Sequence, residues 1–333
     1  MDQISVDAAR RVVVVLGTGG TISGRAGAAS DNIGYTAGEV GVADLLRGID
    51  SPPGIALAAE QVAQVDSKDM SFAIWRTLAQ RCAHWVAEPE VAGLVITHGT
   101  DTLEETAFFL QSVLAPSKPV VLTCAMRPAS ALAPDGPQNL RDAIAVAAAP
   151  EARGVVAVCA GTVHGAFEVQ KVHTYRLDAF DSGDAGPLAY VEEGAVRQLR
   201  DWPHGDPAAR SSFDRIAATT ATTAWPRVEI LLSHAEARGS LVEALLEERR
   251  RGGAEAVQGI VLAATGNGTL HHALEAAALR AQAEGVAVLR ATRCAEGRIL
   301  PKPGQRLRDA GALTPVKARI ALMLELLAGG AAG

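Results

Sequence analysis

The chain has 333 residues, 48% hydrophobic and 20% charged, a composition typical of a globular protein with a substantial core. Its formal net charge of −6 argues against nucleic acid as a partner, because phosphate binding needs a basic face. We expect a cytoplasmic protein with no membrane partner, because no apolar run is long enough to span a bilayer and no secretory signal is visible; a mature exported form would look the same.

The first third of the chain begins with a predicted strand and a glycine-rich turn. Residues 11–16 are a basic residue and an apolar run, which predicts a buried strand, and glycines dominate the turn at residues 17–24. Small and polar residues at 27–34 predict a mobile loop that ends near Tyr35. Patterning then predicts a short helix at 40–46, a strand at 61–65 and a helix at 70–86.

The stretch from residue 94 to residue 106 joins a second buried strand to a helix. Thr102 and Glu105 have the spacing of a capping box, which predicts that the helix begins there. Ligands of open α/β sheets bind at the carboxyl ends of the strands. Because Thr100 and Asp101 lie in this turn with a hydroxyl and a carboxylate, we expect a ligand site here.

The remaining pattern predicts an α/β protein of two domains. Strands at 119–123 and 154–158 alternate with a helix at 139–149, so the larger N-terminal domain (residues 1–190) is predicted to be a doubly wound, mainly parallel sheet. The pattern lapses at 191–225, including the threonine-rich run at 219–223, which predicts a linker. A second, smaller α/β domain follows at 226–333, with predicted strands at 228–232, 259–263 and 286–289 and predicted helices at 240–250, 270–283 and 316–327.

The glycine-rich turn does not fit the common nucleotide-binding motifs. Ile22 stands where the Rossmann fingerprint needs a third glycine or alanine, and no Gly-Lys-Ser/Thr follows for a Walker A loop. The histidines lack metal-ligand spacing, so we expect no metal and no cofactor. The four cysteines are far apart in the sequence, which favours buried free thiols.

Two strand-end turns that each offer a threonine suggest nucleophilic catalysis at one shared site. A threonine hydroxyl is a weak nucleophile and needs a base to take its proton. A lysine whose pKa is lowered by burial is a candidate base, with Asp101 to orient it. Residue types alone do not choose the lysine. No GxSxG elbow is present, so an α/β-hydrolase with a Ser-His-Asp triad is not expected.

The two threonine-bearing motifs resemble the signature motifs of bacterial-type L-asparaginases. These motifs are residues 19–22 and residues 97–102. Supporting segments occur in the family's order and at similar spacing, at residues 65–70, 125–128, 135–137 and 266–268. The resemblance covers nearly the whole chain, from residue 12 to about residue 327, and a set of this size is highly specific.

The resemblance implies an amidohydrolase that converts L-asparagine to L-aspartate and ammonia through an acyl-enzyme. Thr21 is then the nucleophile, and Tyr35 at the end of the mobile loop assists it. Thr100, Asp101 and Lys171 form the relay. The family usually assembles as a homotetramer of intimate dimers, with the active sites at the intimate dimer interface.

Substrate-binding roles follow from the same resemblance. Asp101 holds the α-ammonium of the substrate, and Ser67 binds its α-carboxylate. Backbone N–H groups near Thr100 and Ala125 supply an oxyanion hole, and Asn267 reaches the active site of the partner subunit. Lys68 departs from the neutral or acidic residue that the family commonly has beside the substrate's ammonium, so we hypothesise that it alters affinity or amide choice.

Two alternatives to an asparagine-specific enzyme stay open at this point. A glutaminase-asparaginase acting on both amides fits the same motifs, since one methylene changes binding by only about 1–3 kcal/mol. A non-catalytic amino-acid-binding protein on the same sheet would need the pocket but not Thr21 or Lys171. The presence of both residues favours the enzyme.

Overall fold

The computed structural model describes residues 11–205, 207–219, 225–253 and 255–329, with the side chains of 207–211 left out. The described chain divides into two compact units, which separate between Phe213 and Asp214. No helix among the described residues has both the length and the apolar character needed to cross a bilayer.

The first unit alternates strands and helices and then adds a series of short strands. Its elements are β1 (Arg11–Gly19), α1 (Val42–Leu45), β2 (Ile55–Val65), α2 (Phe72–Ala87), β3 (Val91–Thr97), α3 (Leu103–Leu114), β4 (Pro119–Thr123), α4 (Gly136–Ala148), β5 (Gly154–Cys159), β6 (Thr162–Gly165), β7 (Gln170–Lys171), β8 (Phe180–Asp181), β9 (Ala189–Glu192) and β10 (Ala195–Gln198). Helix α5 (Pro207–Ala218) contains the division between the units.

The main sheet has the strand order β10-β9-β6-β5-β4-β3-β1-β2. Strands β2, β1, β3, β4 and β5 are parallel, whereas β6, β9 and β10 are added antiparallel. Strand order reverses between β1 and β3, because β2 lies outside β1 and β4 lies outside β3. This is the topological switch point of a doubly wound sheet, where a ligand crevice forms at the carboxyl ends of the strands.

The apolar runs of the parallel strands are continuous because both faces of the sheet are covered. Val13 and Val15 of β1 pack in one core with Val95 of β3 and with residues of α1 and α4. The alternate residue Val14 is also buried. Burial on both faces explains why these strands lack the polar alternation of a half-exposed sheet.

The second unit is a smaller α/β layer built on the four-stranded parallel sheet β11-β12-β13-β14. Its elements are β11 (Val228–Leu232), α6 (Ser240–Arg251), β12 (Gly259–Ala264), α7 (His272–Ala283), β13 (Ala287–Thr292), β14 (Arg308–Asp309) and α8 (Pro315–Leu327). Helix α8 begins as predicted, with the Thr314 side chain accepting a hydrogen bond from the Lys317 N–H and with Pro315 in the first turn. The predicted fold class, two α/β domains with a mainly parallel sheet in the larger one, is confirmed.

Three details differ from the sequence analysis. The predicted capping box of α3 is wrong, because the Thr102 side chain makes no cap hydrogen bond and donates to the Ser67 carbonyl at 2.8 Å. The predicted linker contains β10 and α5, while its residues 206 and 220–224 lie outside the described residues. Of the four thiols that we expected to be buried, Cys294 is exposed.

Candidate active site

The candidate site lies where β1 and β3 end side by side. Gly17 of β1 pairs in register with Thr97 of β3, and the Thr18 hydroxyl donates to the Thr97 carbonyl at 2.8 Å. Both strands then turn away from the sheet at its switch point. The chain thus brings its two threonine-bearing turns to one place.

Two glycines allow these turns to touch. Gly20 has φ +82°, and a Cβ at this position would lie 2.3 Å from both the Cα and the N of Gly99. A side chain at Gly99 would in turn lie 2.4 Å from the Ser67 Oγ. Only glycine permits this backbone approach together with the left-handed conformation at Gly20. Thr21 and Thr100, which follow the two glycines directly, therefore lie on the two sides of one contact.

Thr21 has a phenolic partner from the loop that follows it. Thr21 is 6% exposed, and its Oγ1 lies 2.6 Å from the Tyr35 hydroxyl oxygen. The loop that carries Tyr35 is closed at its base by two backbone hydrogen bonds between Arg25 and Thr36, at 3.0 and 2.9 Å. This closure returns the chain to the end of β1 and places the phenol beside the threonine.

Thr100 and Asp101 share a lysine that comes from a distant part of the chain. Lys171 Nζ donates to Thr100 Oγ1 and to Asp101 Oδ1, each at 2.7 Å. The Lys171 backbone N–H also donates to Glu104 Oε2 at 2.8 Å. The side chain of Lys171 is 20% exposed, whereas that of Asp101 is 54% exposed. Lys171 and Asp101 thus form an ion pair at the rim of the site, and the Thr100 hydroxyl lies inside it.

Ser67 lies against the turn that holds Thr100. Its Oγ accepts from the Asp101 N–H at 3.2 Å, and its carbonyl accepts the bond from Thr102. Ser67 is 2% exposed. Because the oxygen is the acceptor in the first bond, the serine hydroxyl retains its hydrogen for donation to an anion.

Lys68 points between two carboxylates. Its Nζ lies 2.8 Å from Asp69 Oδ2 and 3.1 Å from Asp66 Oδ2. The hydrogen bonds to Asp69 and then to Asp66 raise the pKa of this exposed lysine above its ordinary value. The positive charge of Lys68, which the sequence suggested would be unfavourable beside an ammonium ligand, is therefore paired with two carboxylates.

Ala125 is buried two residues after the end of β4, at the next strand end of the sheet. The turn beyond it is fixed by the Asp135 carboxylate, which accepts from the Met126 and Arg127 N–H groups at 2.9 Å each. Asn267 lies in the second unit. Its amide nitrogen donates to the Leu300 carbonyl at 3.1 Å, and its amide oxygen accepts from the Leu300 N–H at 2.7 Å.

Sequence reasoning missed His98, which is fully buried between the strand end and Gly99. Its Nδ1 lies 2.7 Å from the Gly99 carbonyl oxygen, and its Nε2 lies 2.9 Å from Thr106 Oγ1. Burial lowers the pKa of His98 to about 4, so the ring is neutral at pH 7. A histidine directly before the glycine of a strand-end turn was the only signal that the sequence offered.

The first unit thus combines two hydroxyl-centred pairs, Thr21 with Tyr35 and Thr100 with Lys171, across the contact of Gly20 and Gly99. One hydroxyl has a weak acid as its neighbour, and the other has an amine that a carboxylate orients. Such an arrangement suits nucleophilic attack followed by proton transfer. Within the described ranges, no group of three or more His, Cys, Asp and Glu side chains is placed to hold a metal ion.

Comparison with known proteins gives matches along nearly the whole chain. The family model described as "Asparaginase, N-terminal" matches residues 12–204, and "Glutaminase/Asparaginase C-terminal domain" matches residues 227–331. L-asparaginase 2 of Bacillus subtilis is 35% identical over 318 residues, which cover 94% of this chain and 81% of that protein. The glutaminase-asparaginase of Pseudomonas fluorescens is 34% identical over 94% of this chain and 86% of its own length.

A solved structure agrees with these sequence matches. The structure described as a probable cytoplasmic L-asparaginase from Campylobacter jejuni superposes with a TM-score of 0.83 and 34% identity. The match covers 95% of both chains. Similarity at this level extends over both units and is not confined to the motif segments.

Proposed function

The chain belongs to the bacterial-type L-asparaginase family of hydrolases, and from this premise we propose that it hydrolyses the side-chain amide of L-asparagine to L-aspartate and ammonia. The observation that carries the proposal is the pairing of two threonine hydroxyls with different proton partners, Thr21 with Tyr35 and Thr100 with Lys171, across one backbone contact. A binding protein would need neither pair.

Thr21 is the proposed nucleophile. Its Oγ1 attacks the amide carbon as its proton passes to the Tyr35 oxygen, while the Tyr35 hydroxyl gives its own proton to the amide nitrogen, which leaves as ammonia. The resulting ester of Thr21 is then attacked by water, which gives one proton through the Thr100 hydroxyl to the Lys171 amine; the same path returns that proton to the Thr21 oxygen as it leaves. The products are aspartate and the free threonine.

Substrate recognition uses the charged rim of the same site. The Asp101 carboxylate binds the α-ammonium of the substrate, and the Ser67 hydroxyl donates to its α-carboxylate. The N–H groups of Thr100 and Ala125 stabilise the negative oxygen of the tetrahedral intermediate. No cofactor takes part in these steps, because the nucleophile, the proton carriers and the oxyanion donors all belong to the chain.

The decisive experiment measures ammonia released from L-asparagine and L-glutamine by the wild type and by Thr21→Ala. We expect the variant to lose about 10³-fold or more in kcat. Thr36→Ala, which removes an exposed threonine from the same loop, is the matched control and should retain wild-type activity. Absence of release by the wild type would overturn the function, whereas undiminished release by Thr21→Ala would overturn only the nucleophile.

The acyl-enzyme can be tested separately by adding hydroxylamine to the reaction. Hydroxylamine intercepts a threonine ester and yields the aspartyl hydroxamate in competition with aspartate. With asparagine, the expected result is hydroxamate formation in which hydroxamate and aspartate together equal the ammonia released. A direct attack of water on the amide would give aspartate alone.

A second candidate function, comparable activity on both amides, is favoured by the similarity to the Pseudomonas fluorescens enzyme, whose name includes glutaminase. The discrimination available to a site from one methylene is about 1–3 kcal/mol. The ratio of kcat/KM for the two amides decides between the candidates. A ratio above about 10² assigns an asparaginase, and a ratio near one assigns a glutaminase-asparaginase.

We also propose the family's homotetramer of intimate dimers, in which Asn267 completes the site of a partner subunit. Asn267 lies on a turn of the second unit, with its amide held by Leu300. Light scattering coupled to size exclusion measures the oligomer directly, and a monomer that is fully active would overturn this proposal. The Campylobacter jejuni relative is described as cytoplasmic, and we propose the same compartment here, to be checked by cell fractionation.

A further inference from the structure

His98 is a buried residue whose ring makes no hydrogen bond to a side chain proposed to bind the substrate. One ring nitrogen, Nδ1, lies 2.7 Å from the Gly99 carbonyl oxygen. The other, Nε2, lies 2.9 Å from Thr106 Oγ1. Thr106 Oγ1 in turn accepts a hydrogen bond from Trp75 Nε1 at 2.9 Å.

These contacts allow one arrangement of protons. A carbonyl oxygen only accepts, so Nδ1 of His98 must carry the hydrogen. In the neutral ring Nε2 is then an acceptor, and the Thr106 hydroxyl donates to it. The indole N–H of Trp75 can only donate, so the Thr106 oxygen accepts that bond. The hydrogen of the Thr106 hydroxyl is therefore available for the bond to Nε2 of His98. The two helices that carry Trp75 and Thr106 thereby select the Nδ1–H form of the ring.

The bond to Gly99 fixes the direction of the next N–H group. The peptide between Gly99 and Thr100 is trans, as are all the described peptides, so its C=O and its N–H point in opposite directions. Because the carbonyl is held on the buried ring, the Thr100 N–H points away from the ring. Among the described residues, none accepts a hydrogen bond from this N–H.

We propose that His98 is a positioning residue, which holds the Gly99–Thr100 peptide so that the Thr100 N–H is presented to the oxygen of the substrate amide. The proposal rests on the proposed function and deepens it, because it names the group that prepares the oxyanion donor before substrate arrives. Preorganised donors of this kind need no reorientation during the reaction. The neutral state of the ring is consistent with this role, since no charge is placed behind the developing oxyanion.

Two substitutions of His98 test the contributions of its two ring nitrogens separately. His98→Asn places its amide nitrogen near the position of Nδ1, so it retains a donor for the Gly99 carbonyl and loses the partner of Thr106. His98→Gln places its amide near the position of Nε2, so it retains a partner for Thr106 and loses the donor to Gly99. Both variants leave the charge of the site unchanged at neutral pH.

The experiment compares kcat, KM and thermal unfolding for both variants in the full chain, with L-asparagine as substrate. We expect His98→Gln to lower kcat about 10- to 100-fold with KM within about twofold of the wild type. His98→Asn should restore kcat to within about threefold, even where its melting temperature is the lower of the two. A purely structural role would instead make the loss of activity follow the loss of melting temperature.

Each outcome bears on one proposal. If the wild type releases ammonia and His98→Gln retains its kcat, the positioning role is overturned while the proposed function stands. If both variants lose kcat equally although both remain folded, the donor to Gly99 is not the relevant group, and the inference also fails. If the wild type itself releases no ammonia from either amide, the proposed function fails first, and the inference falls with it.

Discussion

At the scale of single residues, Lys68 is a cation that the surrounding charges have largely neutralised. Its two carboxylate partners, Asp66 and Asp69, flank it on a one-turn helix directly after β2, next to Ser67. Exposed pairs of this kind are weak and screened by salt. The residual field at the proposed α-ammonium site therefore depends on the sum of three charges and not on the lysine alone.

We predict that Lys68→Gln lowers the KM for L-asparagine about two- to fivefold with little change in kcat. The reason is that removal of the cation leaves Asp66 and Asp69 to attract the ammonium. Steady-state kinetics on both amides measures the effect, which should shrink at about 0.5 M salt.

Asp69→Asn is the matched control, because it leaves Lys68 in place and removes one neutralising carboxylate. It should change KM in the opposite direction. Identical KM values for the two variants and the wild type, on both amides, would show that Lys68 takes no part in affinity or amide choice.

At the scale of secondary structure elements, the N-terminus of α3 holds Lys171 at two points. Thr100 and Asp101, which immediately precede the helix, accept from the lysine Nζ, while Glu104 in its first turn accepts from the lysine backbone N–H. Strand β7, which carries the lysine, has only two residues and pairs with β8 alone in the described chain. A short strand gives little rigidity of its own, so the contacts at the start of α3 fix the position of Lys171 in the proposed relay.

We predict that Glu104→Ala lowers kcat about tenfold, because the backbone of Lys171 loses its anchor and Nζ no longer rests between Thr100 and Asp101. Glu104→Gln retains an acceptor oxygen and should stay within about twofold of the wild type. Ammonia release at saturating asparagine measures both effects.

Asp178→Ala removes an exposed carboxylate from the segment between β7 and β8 and serves as the control for general loss of charge. It should leave kcat unchanged. If Glu104→Gln were as impaired as Glu104→Ala, the negative charge of Glu104 would be the relevant property, and the anchoring role would be wrong.

At the scale of the whole molecule, the long apolar runs made the parallel sheet predictable. Strands β4 and β5 are fully buried and lie inside the main sheet, and their residues carry the pattern that burial on both faces requires. Strands β6 to β10 were not predicted, since each has two to four residues and several are half exposed. Segments this short contain too few side chains to show a period.

The candidate site was predictable as a set of residue types but not as a set of contacts. Thr21 and Thr100 could be found because each lies in a turn that follows a buried strand, at the edge of the sheet where ligands bind. Glu104 and His98 could not. Glu104 binds the backbone N–H of a residue 67 positions away, and His98 binds the carbonyl of its own neighbour, and backbone partners leave no signature in sequence. The contact of Cys124 Sγ with Cys159 Sγ, at 3.0 Å, depends likewise on the register of neighbouring strands.

The response of the molecule to acid follows from two buried histidines, both in the first unit. Burial is the main cause that lowers the pKa of His98 and of His164 to about 4 each, from an ordinary value near 6.5. His164 Nδ1 lies 2.8 Å from Ser182 Oγ. Because the unfolded chain binds these protons more tightly, stability is fully present above pH 6.5 and is lost as the pH falls through 6.5 towards 4.

We predict that protonation of each histidine lowers the free energy of unfolding by about 3 kcal/mol once the pH reaches 4. The first unit therefore loses stability steeply between pH 6.5 and 4. Urea unfolding at several pH values, followed by tryptophan fluorescence, measures this, since Trp75, Trp85 and Trp202 lie in the first unit. His164→Asn removes one titrating ring and should make the pH dependence shallower, whereas His234→Asn, at an exposed position of the second unit, should not. Equal slopes for the wild type and His164→Asn would contradict the assignment of acid sensitivity to the buried ring.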